Sequence, residues 1–244
     1  MRPGPLVDPA SLPGWLAPLV RRTAGLTMND FGWIPAASTG DGSMRGGLRG
    51  GGSRGRPAAV LVLFAKDGAR AGPDVLLQLR SQDVAAHAGQ VSFPGGAMDD
   101  TDEGPVAAAL REATEEVGVR AADVRPVAVL PELPVPPSDF VVTPVLGHWE
   151  RPGPVAPVDL AETAAVARVP LAMLADPAQR LRVRGPSGYA YPGFVVPGML
   201  VWGFTGGLLD ALLAMGGWAR PWEPAPMYDL DSAWRLAERT EVIR

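Results

Sequence analysis

Residues Ser92 to Val119 read SFPGGAMDDTDEGPVAAALREATEEVGV. Gln90 to Phe93 leads into Pro94-Gly95-Gly96, which marks a sharp loop. The spacing then predicts a helix over Val106 to Val117, with Pro105 suited to its first turn and Gly118 to its C-terminal stop. Val106, Leu110, Ala113 and Val117 fall three and four residues apart and form one apolar stripe. Glu112, Glu115 and Glu116 share the same spacings on an adjacent face, where three carboxylates repel one another. Arg111, four residues before Glu115, offsets part of that charge. A hard divalent cation such as Mg²⁺ or Mn²⁺ suits the remainder, because it prefers oxygen ligands. The competing reading is an ordinary solvated acidic face, with Asp99, Asp100, Asp102 and Glu103 offsetting the helix dipole.

Around this stretch the chain alternates strands and helices. Ala58 to Ala65, AAVLVLFA, is a continuous apolar run of strand length, and Val75 to Arg80 reads as its returning partner. Val124 to Leu130, Phe140 to Val145, Ala164 to Val169 and Val195 to Phe204 are further strands. Pro170 to Ala175, Thr205 to Met215 and Asp229 to Arg239 read as helices. The class is α/β or α+β. Three parts are expected: an extension and linker over residues 1–57, a domain over 58–215 and a tail over 216–244. Residues 1–36 are Pro-rich, with Leu12, Trp15, Leu16, Leu19 and Val20 suited to a short helix packed on the domain. Residues 37–57 are rich in Gly, Ser and Arg and have almost nothing to bury, so they read as a flexible, dispensable linker.

Composition excludes several chemistries. The 244 residues carry a net charge of −4, which argues against a nucleic-acid sleeve. There is no cysteine, so thiol catalysis, disulfides and cysteine-based metal sites are ruled out. Two histidines, His87 and His148, are too few for a three-histidine centre. Any hydrolytic metal site therefore rests on carboxylates. The apolar run from Phe194 to Gly217 approaches membrane-spanning length, but Pro197, Gly203, Gly206, Gly207 and Asp210 interrupt it. A buried strand followed by a buried helix is the better reading. With no signal-like segment at the start, a cytoplasmic protein without a membrane partner is expected.

The run Arg111, Glu112, Ala113, Thr114, Glu115, Glu116, Val117, Gly118, Val119 closely resembles the second half of the Nudix box, and Gly96 its first glycine. One extra residue separates the two halves, so either Asp102 or Glu103 stands for the first acid. Coenzyme A pyrophosphatases of this family carry an Asp with the same extra residue. Their upstream signature is similar to Leu76-Leu77, Arg80-Ser81, Gly89 and Phe93-Pro94-Gly95-Gly96. Gln78 replaces the usual Thr of that signature, and Ala85 stands in place of an Arg suited to substrate phosphate. Val142-Thr143-Pro144-Val145, Glu162, Val169-Pro170-Leu171 and Trp202-Gly203-Phe204-Thr205 also look like this subfamily.

The resemblance implies a Nudix-type α/β/α sandwich with a mixed sheet, and hydrolysis of a diphosphate linked to another group. It implies Glu112 and Glu116 as ligands of Mg²⁺ or Mn²⁺, with Glu115 as a third. One of these three, or Glu162 from another element, would instead serve as base, and Arg111 would hold Glu115 or Asp102. The backbone of Gly95 and Gly96 would approach metal or phosphate closely, and Arg80, which follows a strand, reads equally as a phosphate contact or as half of an ion pair. The implied substrate is a small nucleoside diphosphate derivative such as CoA. Ala85 keeps open a dinucleotide or nucleoside-diphosphate sugar instead, and a catalytically silent binding module is the third reading. Trp218 and Trp222 are expected to cover the domain or a second copy in a homodimer.

Overall fold

A computed structural model describes residues 2–32, 55–66, 68, 72–83, 88–135, 138–185, 188–223 and 225–239. In chain order the elements begin with β1 (Gly4–Pro5), α1 (Ala17–Arg22), β2 (Arg56–Ala65), β3 (Asp74–Arg80), β4 (Val91–Ser92) and β5 (Gly95–Ala97). Next come α2 (Pro105–Val117), β6 (Val124–Val129), β7 (Leu133–Val135), β8 (Phe140–Trp149), β9 (Thr163–Pro170) and α3 (Leu171–Leu174). The chain closes with β10 (Arg180–Arg184), β11 (Ala190–Val196), β12 (Met199–Val201), α4 (Gly203–Gly216), β13 (Met227–Asp229) and α5 (Leu230–Arg239). The expected linker lies almost wholly outside the described residues, as do Ala85 and His87.

The main sheet runs β1-β6-β8-β2-β3-β4, with β5 added on β2, β7 on β8 and β9 on β3. It is mixed, because β2 and β8 pair in parallel from Arg56↔Phe140 to Phe64↔His148 while the other pairs are antiparallel. The continuous apolar run of β2 follows from this central place. Ala59, Leu61, Leu63 and Ala65 bury one set of side chains, and Val62 and Phe64 bury the other. The first set meets Ala108, Ala109, Ala113 and Val117 of α2. The second meets Leu19 and Val20 of α1 and Leu208, Leu209, Leu212 and Leu213 of α4. Helices thus cover both faces of a mixed sheet, the α/β/α sandwich.

The second sheet, β12-β11-β10-β13, departs from expectation. Val195 to Phe204 is not one strand. Gly198, at φ +73°, turns the chain between β11 and β12, and α4 starts at Gly203. Residues read as a tail extend this sheet: β13 pairs in parallel with β10, and Ala233 and Ala237 of α5 pack against Leu181, Val183 and Leu200. The extension read over residues 1–57 also enters the fold. β1 pairs with β6, and Leu16, Leu19, Val20 and Phe31 lie within the larger core. Trp218 packs on Phe64, with ring centroids 5.9 Å apart. Among the described residues no helix is long and apolar enough to cross a membrane.

Candidate active site

The site forms where α2 crosses the β2–β5 edge. Gly118 closes the helix in the left-handed conformation at φ +71°. The apolar stripe is displaced from the expected one. Ala108, Ala109, Ala113 and Val117 are fully buried, whereas Val106 and Leu110 are half-buried. Small side chains let the helix lie close to β2, and this rotation carries Glu116 to the buried side, where it is only 7% exposed.

Gly95 and Gly96 are not in a loop. They pair antiparallel with Val60 and Ala59 as part of β5. Gly95 holds φ +151°, and a Cβ there would stand 2.3 Å from the Ala59 carbonyl oxygen. A Cβ on Gly96 would stand 2.7 Å from the Glu112 carboxyl carbon. Gly95 is thus required where the strand presses on the sheet, and a side chain at position 96 would displace the Glu112 carboxylate.

Glu116 Oε2 accepts hydrogen bonds from the Gly95 amide and from Gln78 Nε2, each at 2.8 Å. Its Oε1 faces Arg80 NH1 at 3.7 Å. Burial pushes the Glu116 carboxyl up to about 7, and the charge of Glu112 adds to the rise, while the Gly95 amide, Gln78 and Arg80 oppose it. Burial also raises Glu112, against the pull of Arg111.

Arg111 clamps the acids on the other flank. Its Nε and NH2 donate to the two oxygens of Asp102 at 3.1 and 2.9 Å, and NH1 donates to Glu112 at 2.9 Å and Glu115 at 3.0 Å. NH2 also donates to the Ala97 carbonyl at 3.2 Å, which ties the clamp to β5. Of the two acids left open by the sequence, Arg111 grips Asp102, whose carboxyl it holds below the usual range with help from the Asp99 amide. This fork geometry belongs to arginine and not to lysine.

The structure brings Glu112 and Glu116 together, since residues four apart lie nearly above one another on a helix. Glu115 is rotated away, with a side chain 59% exposed and held by Arg111. Among the described residues no three carboxylates or imidazoles form a ready-made cage. Glu162 precedes β9. Its carbonyl accepts from the Ser81 amide at 2.8 Å and its side chain is exposed, one residue beyond the Arg80↔Thr163 pair. Arg80 sits at the end of β3, and its buried Nε has no hydrogen-bond partner among the described residues. Gln78 is the site residue that sequence reasoning missed. It was visible only as a departure from a signature, and nothing local announces that a buried amide meets an acid on a distant helix.

The acids fit a hard divalent cation. The donors are all oxygen, the charge of Arg111 is already shared among four other carboxylates, Asp99, Asp102, Glu112 and Glu115, and buried Glu116 stands beside a second acid without a full countercharge.

A NUDIX domain model matches residues 54–189. The chain is 39% identical over 168 residues to NudL of Escherichia coli strain K12, described as an uncharacterized Nudix hydrolase, covering 64% of this chain and 81% of that protein. NudL of Shigella boydii serotype 4 matches to the same extent, 39% over 168 residues with 64% and 81% covered. Among solved structures, the Nudix hydrolase RenU from M. Smegmatis is 26% identical with a TM-score of 0.41, covering 50% of this chain and 74% of that one. Nudix hydrolases generally use divalent metal ions and act on pyrophosphate bonds. The clamp and paired acids built on α2 thus stand in a matching domain, and the chain belongs to the Nudix family of hydrolases.

Proposed function

We propose that the protein is a Mg²⁺- or Mn²⁺-dependent diphosphatase that cleaves CoA or a related nucleotide derivative. The observation that carries this reading is the convergence of Glu112 and Glu116 on the Gly95-Gly96 strand, with Arg111 bracing the outer acids. Glu112 and Glu116 would hold the ion. When bound, it neutralises the diphosphate oxygens and lowers the pKa of an attacking water.

The chain's own residues do the rest. Arg111 keeps Asp102, Glu112 and Glu115 in fixed places, so the acids need no rearrangement when substrate arrives. Among the described residues Arg80 Nε has no partner and its guanidinium makes only a long contact to Glu116, so it can turn its donors to a substrate phosphate. The base is Glu162, whose backbone carbonyl accepts from the Ser81 amide next to Arg80 and whose side chain is exposed, whereas Glu115 is engaged by Arg111.

The CoA assignment rests on the upstream signature resemblance and the dinucleotide or nucleotide-sugar alternative on Ala85. A panel of CoA, 3′-dephospho-CoA, a dinucleoside polyphosphate and a nucleoside-diphosphate sugar separates them, each with and without Mg²⁺. Losing one charge-assisted phosphate contact costs about 1.5–3 kcal/mol, so CoA should be cleaved with little preference over its dephospho form. Ala85→Arg should improve kcat/KM for CoA. Strong selectivity for CoA with no gain from Ala85→Arg would show that other residues read the 3′-phosphate. Exclusive cleavage of the dinucleotide or the sugar would replace the CoA reading.

A further inference from the structure

Gln78 lies on β3 with no exposed surface, yet its side chain is polar, with partners at both ends of the amide. One Nε2 hydrogen goes to Glu116 Oε2 at 2.8 Å and Nε2 also lies 3.3 Å from Ser92 Oγ. Its Oε1 accepts from Thr163 Oγ1 at 3.3 Å. Thr163 is itself only 1% exposed. One amide therefore joins α2, β4 and β9 through a strand that touches all three.

The chemistry of each alternative at this position is restrictive. An aliphatic side chain would leave Glu116 Oε2 with the Gly95 amide alone. A lysine or arginine would add a positive charge that competes with a cation for Glu116. A glutamate would add a third repelling carboxylate. An amide donates without altering the charge of the site, provided that its NH₂ end faces Glu116. The Thr163 hydroxyl sets that end, because it donates to the amide oxygen and so holds it away from the acid.

We infer that Gln78 is a positioning residue for the metal-dependent reaction: with Gly95 it fixes Oε2 of Glu116, leaving Oε1 as the oxygen available to the ion, and Thr163 orients Gln78. This rests on the reading of Glu116 as a metal ligand. Glu162 immediately precedes Thr163, so the same contacts join the approach to β9 to the acid on α2.

The test is the Mn²⁺ dissociation constant of metal-stripped protein, measured by titration calorimetry, with kcat and KM at saturating Mn²⁺ recorded separately. Gln78→Met keeps the volume and removes both donors. It should weaken Mn²⁺ binding by about 10–100-fold, the usual cost of losing a partner of a metal ligand, with little change in KM for substrate. Thr163→Val should weaken Mn²⁺ in the same direction, and Thr163→Ser, which keeps the hydroxyl, should bind Mn²⁺ like the unmodified protein. Should Gln78→Met fail to fold, the two Thr163 variants decide. Loss with Val and recovery with Ser supports the inference, and equal affinity in both overturns it. Glu116→Gln is measured alongside. If it weakens Mn²⁺ binding while folded Gln78 and Thr163 variants do not, the positioning role falls and the ligand assignment stands. If Glu116→Gln leaves Mn²⁺ affinity unchanged, both fall together.

Discussion

Glu116 concentrates the chemistry of this site in one side chain. It is buried, hydrogen-bonded and raised to about 7 from an ordinary value of 4.5. In metal-free protein the fold therefore keeps a proton on Glu116 that the unfolded chain gives up, so the contribution of Glu116 to stability is fully present below about 4.5 and is lost as pH rises through about 7. The share of the melting temperature that Glu116 contributes in EDTA should fall between about pH 4.5 and about pH 7, and Glu116→Gln should remove that fall. Parallel curves for both proteins would place the titration elsewhere. Arg111, Glu112 and Glu116 were legible because helical spacing fixes which side chains share a face. The pairing of Glu115 with Arg111 was legible from their separation of four residues on the helix. Gln78 was illegible, because its partners Glu116 and Thr163 stand 38 and 85 residues away along the chain.

Among the elements, α2 was read to within a residue, since Pro105 and Gly118 mark its ends by backbone chemistry. Its depth was not legible. The expected stripe gave weight to Val106 and Leu110, whereas close approach to β2 selects the alanines. The hairpin β11–β12 was hidden in a continuous apolar run, although Pro197-Gly198 carried a turn signal. Helix α4 shows how packing overrides propensity. Alanine favours a helix over glycine by about 1 kcal/mol. At Gly206, however, a Cβ would stand 2.5 Å from the Pro192 carbonyl oxygen of β11. Gly206→Ala should therefore destabilise the protein, by about 1–3 kcal/mol in urea unfolding, as overpacking does. A stabilised variant would mean that α4 does not need this close approach.

Across the whole molecule, the sheet separates two cores, and segments distant in sequence complete the larger one. Leu19 of α1 is fully buried with Phe64 of β2 and Leu208 of α4 in that core. Leu19→Ala should cost about 2–5 kcal/mol in a single unfolding transition, because the cavity lies in a shared core. A cost below about 0.5 kcal/mol would mark the N-terminal segment as an appendage, as surface substitutions do. The opposite core packs α2 on β2 and so sets the acids against Gly95 and Gly96. Whether that arrangement is a metal-dependent hydrolytic centre is answered by the initial rate of diphosphate cleavage, in Mn²⁺ or Mg²⁺ and in EDTA, for the unmodified protein and Glu116→Gln. The expected result is turnover with metal, none in EDTA with recovery on adding the ion back, and a loss on the order of 10²-fold in Glu116→Gln. Undiminished hydrolysis in EDTA or in Glu116→Gln would contradict it.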